Sequence, residues 1–263
     1  MNEINIFQKS LKDYFTKEML TLLIYPLLGS AIVLYFSFFT LASMGLDSLE
    51  NTQIQIQQQQ MQIENGQIEQ TQVNETYTGS SIVDFLLKYT LTSWVVSFLV
   101  YTIGLFAIGY LSIFISIIII GFLSPRILGI IHQRHYEDLD IQTNFSVVDG
   151  IAKIIKTSLV MILLLILLIP FYIIPFINII AINLPFYYFF HKMLHYDISS
   201  TITSKEQFIQ IYYKDKLPMR LRTIFLYVIS LLPFVAFFIS IFYIIYLGHV
   251  YFTKLKEIKK IDF

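Results

Sequence analysis

Residues 224–252 read IFLYVISLLPFVAFFISIFYIIYLGHVYF, an apolar run with basic residues at both ends: Lys214, Lys216, Arg220 and Arg222 before it, Lys254, Lys256, Lys259 and Lys260 after it. Lysine and arginine collect on the cytoplasmic side of a membrane protein, so both ends of this run face one side and it makes an even number of passes. Pro233 interrupts it, because proline removes a helical N–H and clashes with the preceding turn. As helix, the leg from Ile224 to Leu232 rises about 14 Å, half of the ~30 Å hydrocarbon layer. The run is expected to be a re-entrant helical hairpin, whose irregular backbone must be buried in protein or line a wet cavity.

Residues 154–190 repeat the pattern upstream. Pro170, Pro175 and Pro185 break an apolar block flanked by Lys153, Lys156 and Lys192. Its legs are longer, and both a full hairpin and a deep re-entrant one fit. Two ordinary spans come first. Leu20–Met44 reaches roughly 37 Å. A capping box at Ser81-Ile82-Val83-Asp84 opens a stretch that runs to Leu123 without proline. With no charge after Lys88 and no turn signal, that stretch is expected to be one long crossing, its first turns above the membrane. Gly104 and Gly109 within it mark close helix packing. Lys9, Lys12 and Lys17 before the first span, and Arg126 and Arg134 after the second, place both termini in the cytoplasm.

Between the two spans, the segment 45–80 is rich in glutamine and has no lysine or arginine. It is expected to be a periplasmic polar loop, with part of it helical. Residues 1–19 put Ile4, Phe7, Leu11, Phe15 and Met19 on one helical face, as in a helix lying in the membrane interface. Ser204-Lys205-Glu206-Gln207 is a second capping box, opening a cytoplasmic helix that must stop before Pro218.

Composition agrees. Of 263 residues, 56% are hydrophobic and 14% charged, against about 25% charged in soluble domains, and mean hydropathy is +0.67. These values exclude a soluble globular enzyme. Net charge is zero, so a nucleic-acid partner has no electrostatic support. The absence of cysteine excludes disulfides, iron–sulfur clusters and thiol catalysis. The expected fold is all-α: one polytopic membrane domain, 1–263, with two long transmembrane helices and two proline-broken, partly penetrating hairpins.

The order of these elements resembles the CysZ family of bacterial sulfate permeases and the related etoposide-induced membrane proteins. Pro26-Leu27-Leu28 is similar to that family's Pro-Leu-Leu in the first span. Ser124-Pro125 stands where the family has Ala-Pro-Phe. Ile169-Pro170, Pro175 and Tyr196-Asp197 resemble its first hairpin, and Leu221-Arg222 with Leu232-Pro233-Phe234 its second. The resemblance implies an oligomeric inner-membrane protein, with sulfate or a related small anion as substrate. One departure stands out: the family's permeases carry glycine and paired arginines just before Pro-Leu-Leu, where this chain reads Glu18-Met19-Leu20-Thr21.

An oxyanion site needs arginines, hydroxyls or helix N-termini. Arg126, Arg134, Arg220 and Arg222 are the arginines available. Arg126, Arg220 and Arg222 are the expected anion-binding residues, against the alternative that they only contact lipid phosphates. Asn178 and Asn183 are read as bonding neighbouring helices. His191 and His195, with Asp197 behind them, and His132 and His135, near Glu137 and Asp138, have the spacing of metal-binding pairs. They lack a His-Glu-x-x-His motif, and no metal site and no cofactor are expected. No phosphate loop or nucleophile elbow occurs, so the chain is read as a permease rather than an enzyme. Its partners are expected to be membrane lipids, a small anion and further copies of itself. The alternative function is a non-transporting, lipid-organising scaffold of the same fold.

Overall fold

A computed structural model describes residues 3–64 and 93–261 of the chain. Among the described residues there are helices, short connections and no strand. The helices are α1 (Glu3–Tyr14), α2 (Lys17–Glu64), α3 (Ser93–Phe122), α4 (Ser124–His135), α5 (Val147–Leu167), α6 (Ile177–Ile202), α7 (Lys205–Lys214), α8 (Lys216–Ser230) and α9 (Pro233–Ile261), with a 3₁₀ turn at Ile169–Ile173. Among the described residues four segments are long and apolar enough to cross a membrane: Lys17–Ser43, Tyr101–Phe122, Val147–Leu167 and Phe234–Lys259. The all-α, polytopic membrane architecture is as the sequence predicts.

The chain divides into two compact units. One comprises residues 27–112, where α2 pairs with α3. A Cβ built on Gly104 would fall 1.9 Å from the Phe38 ring, so the glycine is what admits that ring. Phe39 stacks on Tyr101 with ring centroids 5.4 Å apart, and Ser30 donates to the Ser112 carbonyl at 3.1 Å. Gly109 meets nothing within 4 Å, so close packing is found at the first glycine only. Helix α2 continues past the apolar span through Gln53–Gln62 to Glu64, so the first part of the glutamine-rich segment is helical. Glutamine is a good helix former and the stretch lacks proline, so nothing local stops the helix. The Ser81–Asp84 capping box lies outside the described residues.

The other unit holds residues 1–26 and 113–263. Its centre is α9, which packs against α1, α4, α6, α7 and α8. The first hairpin is α5 and α6. Ser146 and Asp149 cap α5 reciprocally. Pro170 sits in the 3₁₀ turn, and Tyr172 closes the tip by donating to the Leu165 carbonyl at 2.7 Å. Phe176, entering α6, has φ 66°, a value costly for a bulky side chain. The second hairpin is uneven. Helix α8 begins at Lys216, earlier than the expected Ile224, yet its 15 residues still rise only about 22 Å. Helix α9 has 29 residues, about 43 Å of helix. The predicted Ser204 cap is present, with Gln207 answering it, and α7 ends at Lys214.

Helix α1 exposes Ile4, Phe7, Leu11 and Phe15, the apolar face expected to lie in the interface. Its opposite face is not solvated: Ile6, Ser10 and Asp13 are buried.

Candidate functional site

Helix α4 starts at Ser124-Pro125, with proline in the first turn where its missing N–H costs nothing. From there Arg126, Gln133 and Arg134 recur at helical spacing on one side. They face Lys17, Glu18 and Thr21, from the first turn of α2, across a cleft of about 630 Å³. Thr21 donates back to the Lys17 carbonyl, and Arg134 donates to Glu18 at 2.8 Å. The side chains of Arg126, Lys17 and Gln133 have no hydrogen bond or ion pair among the described residues, and all three are exposed. The N-terminal dipole of α4 adds positive potential beside Arg126.

The same Arg134 reaches a second, buried arrangement. Its Nη1 donates to Asp13 Oδ1 at 2.9 Å. His135 Nε2 lies 2.8 Å from Asp13 Oδ2, and His249 Nε2 lies 2.8 Å from that same oxygen. Asp13 is 3% exposed and His249 fully buried. Burial works to raise the pKa of the Asp13 carboxyl. Hydrogen bonds from His249, His135 and Arg134 outweigh burial and hold the group well below the usual carboxylate range. Behind His249, its Nδ1 meets the Tyr136 hydroxyl at 3.0 Å, and Tyr136 stacks on Phe252. Three helices far apart in the chain, α1, α4 and α9, therefore meet at one carboxylate.

The expected anion residues are not gathered in one place. Arg126 lines the cleft. Arg222 is paired with Glu3 at the start of α1, where Tyr246 also donates to Glu3 at 3.2 Å. That pairing holds the Glu3 carboxyl below its ordinary value. Arg220 is exposed on α8, and its carbonyl accepts from Tyr187. Neither Arg220 nor Arg222 lines the cleft. Asn183 bonds helices as predicted, accepting from Tyr227 at 3.0 Å. His191 has both ring nitrogens occupied, by Thr223 and Tyr212, and His195 meets Tyr251 at 2.9 Å. His132 is bonded to the Leu139 carbonyl. His191 and His195 thus hold helices together, and His132 ties α4 to the connection that follows it. The histidine that joins His135 comes from α9, and the acid from α1.

These features define a class: an all-helical, multi-pass membrane protein with two proline-broken hairpins, the second uneven, and a basic cleft at the base of its first span. Over residues 6–240 the chain matches the family described as sulfate transporter CysZ/etoposide-induced protein 2.4, and it belongs to that family. The family is of transporter type rather than enzymatic. No curated protein and no solved structure was found to match the chain.

Proposed function

We propose that the chain is a permease of the cell's inner membrane, with cytoplasmic termini, that passes a small oxyanion, sulfate first. Transport would be passive or ion-coupled, and the protein would assemble from several copies. In this reading the anion docks in the cleft between α2 and α4. The observation that carries it is the pair of unpartnered cations, Arg126 and Lys17, lining one cleft beside the Gln133 amide. Their position also answers the departure noted above. The permease family that the sequence resembles has arginines just before Pro-Leu-Leu, whereas here Glu18 stands near that point and the arginines line the cleft from α4. Charge-assisted contacts to an oxyanion are stronger than neutral ones, and a cation without a carboxylate partner is free to make them. Arg222 is already neutralised by Glu3 and serves this reading poorly.

The test is sulfate uptake by proteoliposomes of the purified protein, compared with chloride, sulfite and molybdate. Arg126→Gln is expected to reduce saturable uptake at least tenfold while leaving the unfolding midpoint unchanged, and Lys17→Gln to act in the same direction. Saturable uptake that Arg126→Gln leaves intact would move the site elsewhere. No uptake of any anion by folded, correctly inserted protein would favour the scaffold. That second reading draws its support from Glu18, which lies in the cleft and takes up Arg134.

A further inference from the structure

We propose that Asp13, His135 and His249 form a binding site for a divalent transition-metal ion of the zinc type. The three side chains each offer one ligand atom, and these atoms all lie within 4.8 Å of one another. Two imidazole Nε2 atoms converge on a single carboxylate oxygen, Asp13 Oδ2, each at 2.8 Å. Tetrahedral zinc, with bonds of about 2.0–2.1 Å, sets its ligand atoms roughly 3.3 Å apart. A small outward movement of the two rings from Oδ2 makes that space. Two histidines and one carboxylate are a recurrent set for zinc and for ferrous iron. The absence of cysteine argues against metals that prefer thiolate.

The groups behind the ligands are those a metal site needs. Metal-binding histidines hold their second nitrogen on a partner, and metal-binding carboxylates are themselves hydrogen-bonded. His249 Nδ1 has the Tyr136 hydroxyl, and Asp13 Oδ1 has Arg134. Without metal, His249 carries its proton on Nε2 toward Asp13, and Tyr136 donates to Nδ1. For Nε2 to ligate, that proton must sit on Nδ1 and donate to the Tyr136 oxygen. The Tyr136 hydroxyl, 3.4 Å from Thr253 Oγ1, then turns toward the threonine. The hydroxyl both donates and accepts, so it serves either tautomer. Glu18 balances the guanidinium charge of Arg134 from its far side, which lessens the repulsion a cation would meet. Three protein ligands leave a fourth position for water. The site would fasten α1 to α4 and α9.

The experiment uses the full chain in detergent, with any affinity tag removed, titrated with Co²⁺ and then with Zn²⁺. Wild type is expected to take up one Co²⁺ per chain with a visible d–d absorption band, which Zn²⁺ displaces and Mg²⁺ does not. His135→Gln changes a partly exposed ring, so folding is expected to survive it, and it should weaken Co²⁺ binding by more than about tenfold. His249→Gln should do the same. Tyr136→Phe, which removes the hydroxyl's bond to the second nitrogen and its longer contact with Thr253, should weaken binding by about 10–100-fold. Failure of wild type to take up Co²⁺ or Zn²⁺ stoichiometrically overturns the proposal. So does a band that persists unchanged in His135→Gln. Neither result depends on whether the protein moves an anion.

Discussion

Helices α5 and α9 are two spans of similar hydropathy with opposite surroundings. Over Val147–Leu167 mean hydropathy is 2.2 and 6% of the apolar window is buried; over Phe234–Lys259 it is 1.9 and 72% is buried. The less apolar helix is the one at the centre. Lipid tails are as apolar as leucine, so apolar surface alone does not draw a helix into protein. Polar groups do, because a donor or acceptor left unpaired in hydrocarbon costs several kcal/mol, of the order of 2–7. Helix α9 carries Tyr243, which donates to the Leu226 carbonyl at 3.1 Å, Tyr251, which meets His195, and His249, which meets Asp13. In α5 the one buried residue is Thr157.

The sharpest way to break this comparison is to remove the same atoms from each helix. Ile245 on α9 is fully buried, and Ile162 on α5 is 48% exposed. Ile245→Ala is expected to cost about 2–5 kcal/mol, whereas Ile162→Ala should fall within about 0.5 kcal/mol. Denaturant unfolding in mixed micelles measures both, and equal losses would mean that α5 is covered by another copy of the chain. A smaller effect is expected at the tip of the α5–α6 hairpin. Phe176 is 83% exposed at a φ of 66°, so Phe176→Gly gives up little packing and relieves backbone strain. It should raise stability by about 1 kcal/mol, read as a higher unfolding midpoint. An unchanged midpoint would mean that the ring is held by something outside this chain.

The smallest effect concerns the outer tie between α1 and the second hairpin. The Glu3 carboxyl, lowered by its bond from Arg222, binds its proton more weakly folded than unfolded. Its stabilisation is therefore complete above the ordinary glutamate value of about 4.3 and fades as pH falls below it. The Glu3 side chain is 58% exposed, so the pair is worth roughly 0.2–1 kcal/mol. Glu3→Gln should flatten the stability–pH curve slightly in that acidic range and leave it unchanged in slope near neutrality. An identical acid slope in wild type and variant would show that solvent screens the pair completely.

Much of the framework was legible in the sequence because its signals are local. Apolar length marked the spans, Pro170 and Pro233 marked the hairpin tips, and Ser204 with Gln207 marked a helix start. The Ser146–Asp149 cap carries the same kind of signal and went unread. That the glutamine-rich segment starts as an unbroken continuation of α2 was harder to read, because polarity suggests a loop although helix propensity depends on side-chain freedom and glutamine keeps it. The buried cluster could not be read locally. Asp13 stood on the polar side of an amphipathic helix, where an acid is ordinarily solvated, and His249 was a lone polar residue near the end of an apolar run. Nothing in spacing joins two residues 236 positions apart. One partial signal existed: an acid in an interfacial helix and a histidine near the end of a span both sit at the same membrane border. Likewise Arg126 could be picked out from its position at a helix start, but its distance from Arg220 and Arg222 in the fold could not.

The carboxylate of Asp13 also imposes an order on biosynthesis. Helix α1 leaves the ribosome long before α9. Until α9 arrives with His249, Asp13 lacks one of its three partners, and Glu3 lacks the Tyr246 hydroxyl. Helix α1 therefore cannot reach its final contacts until α9 has been made. A nascent protein that has inserted every earlier span still carries an open acidic seat on α1. The arrival of His249 on α9 closes that seat.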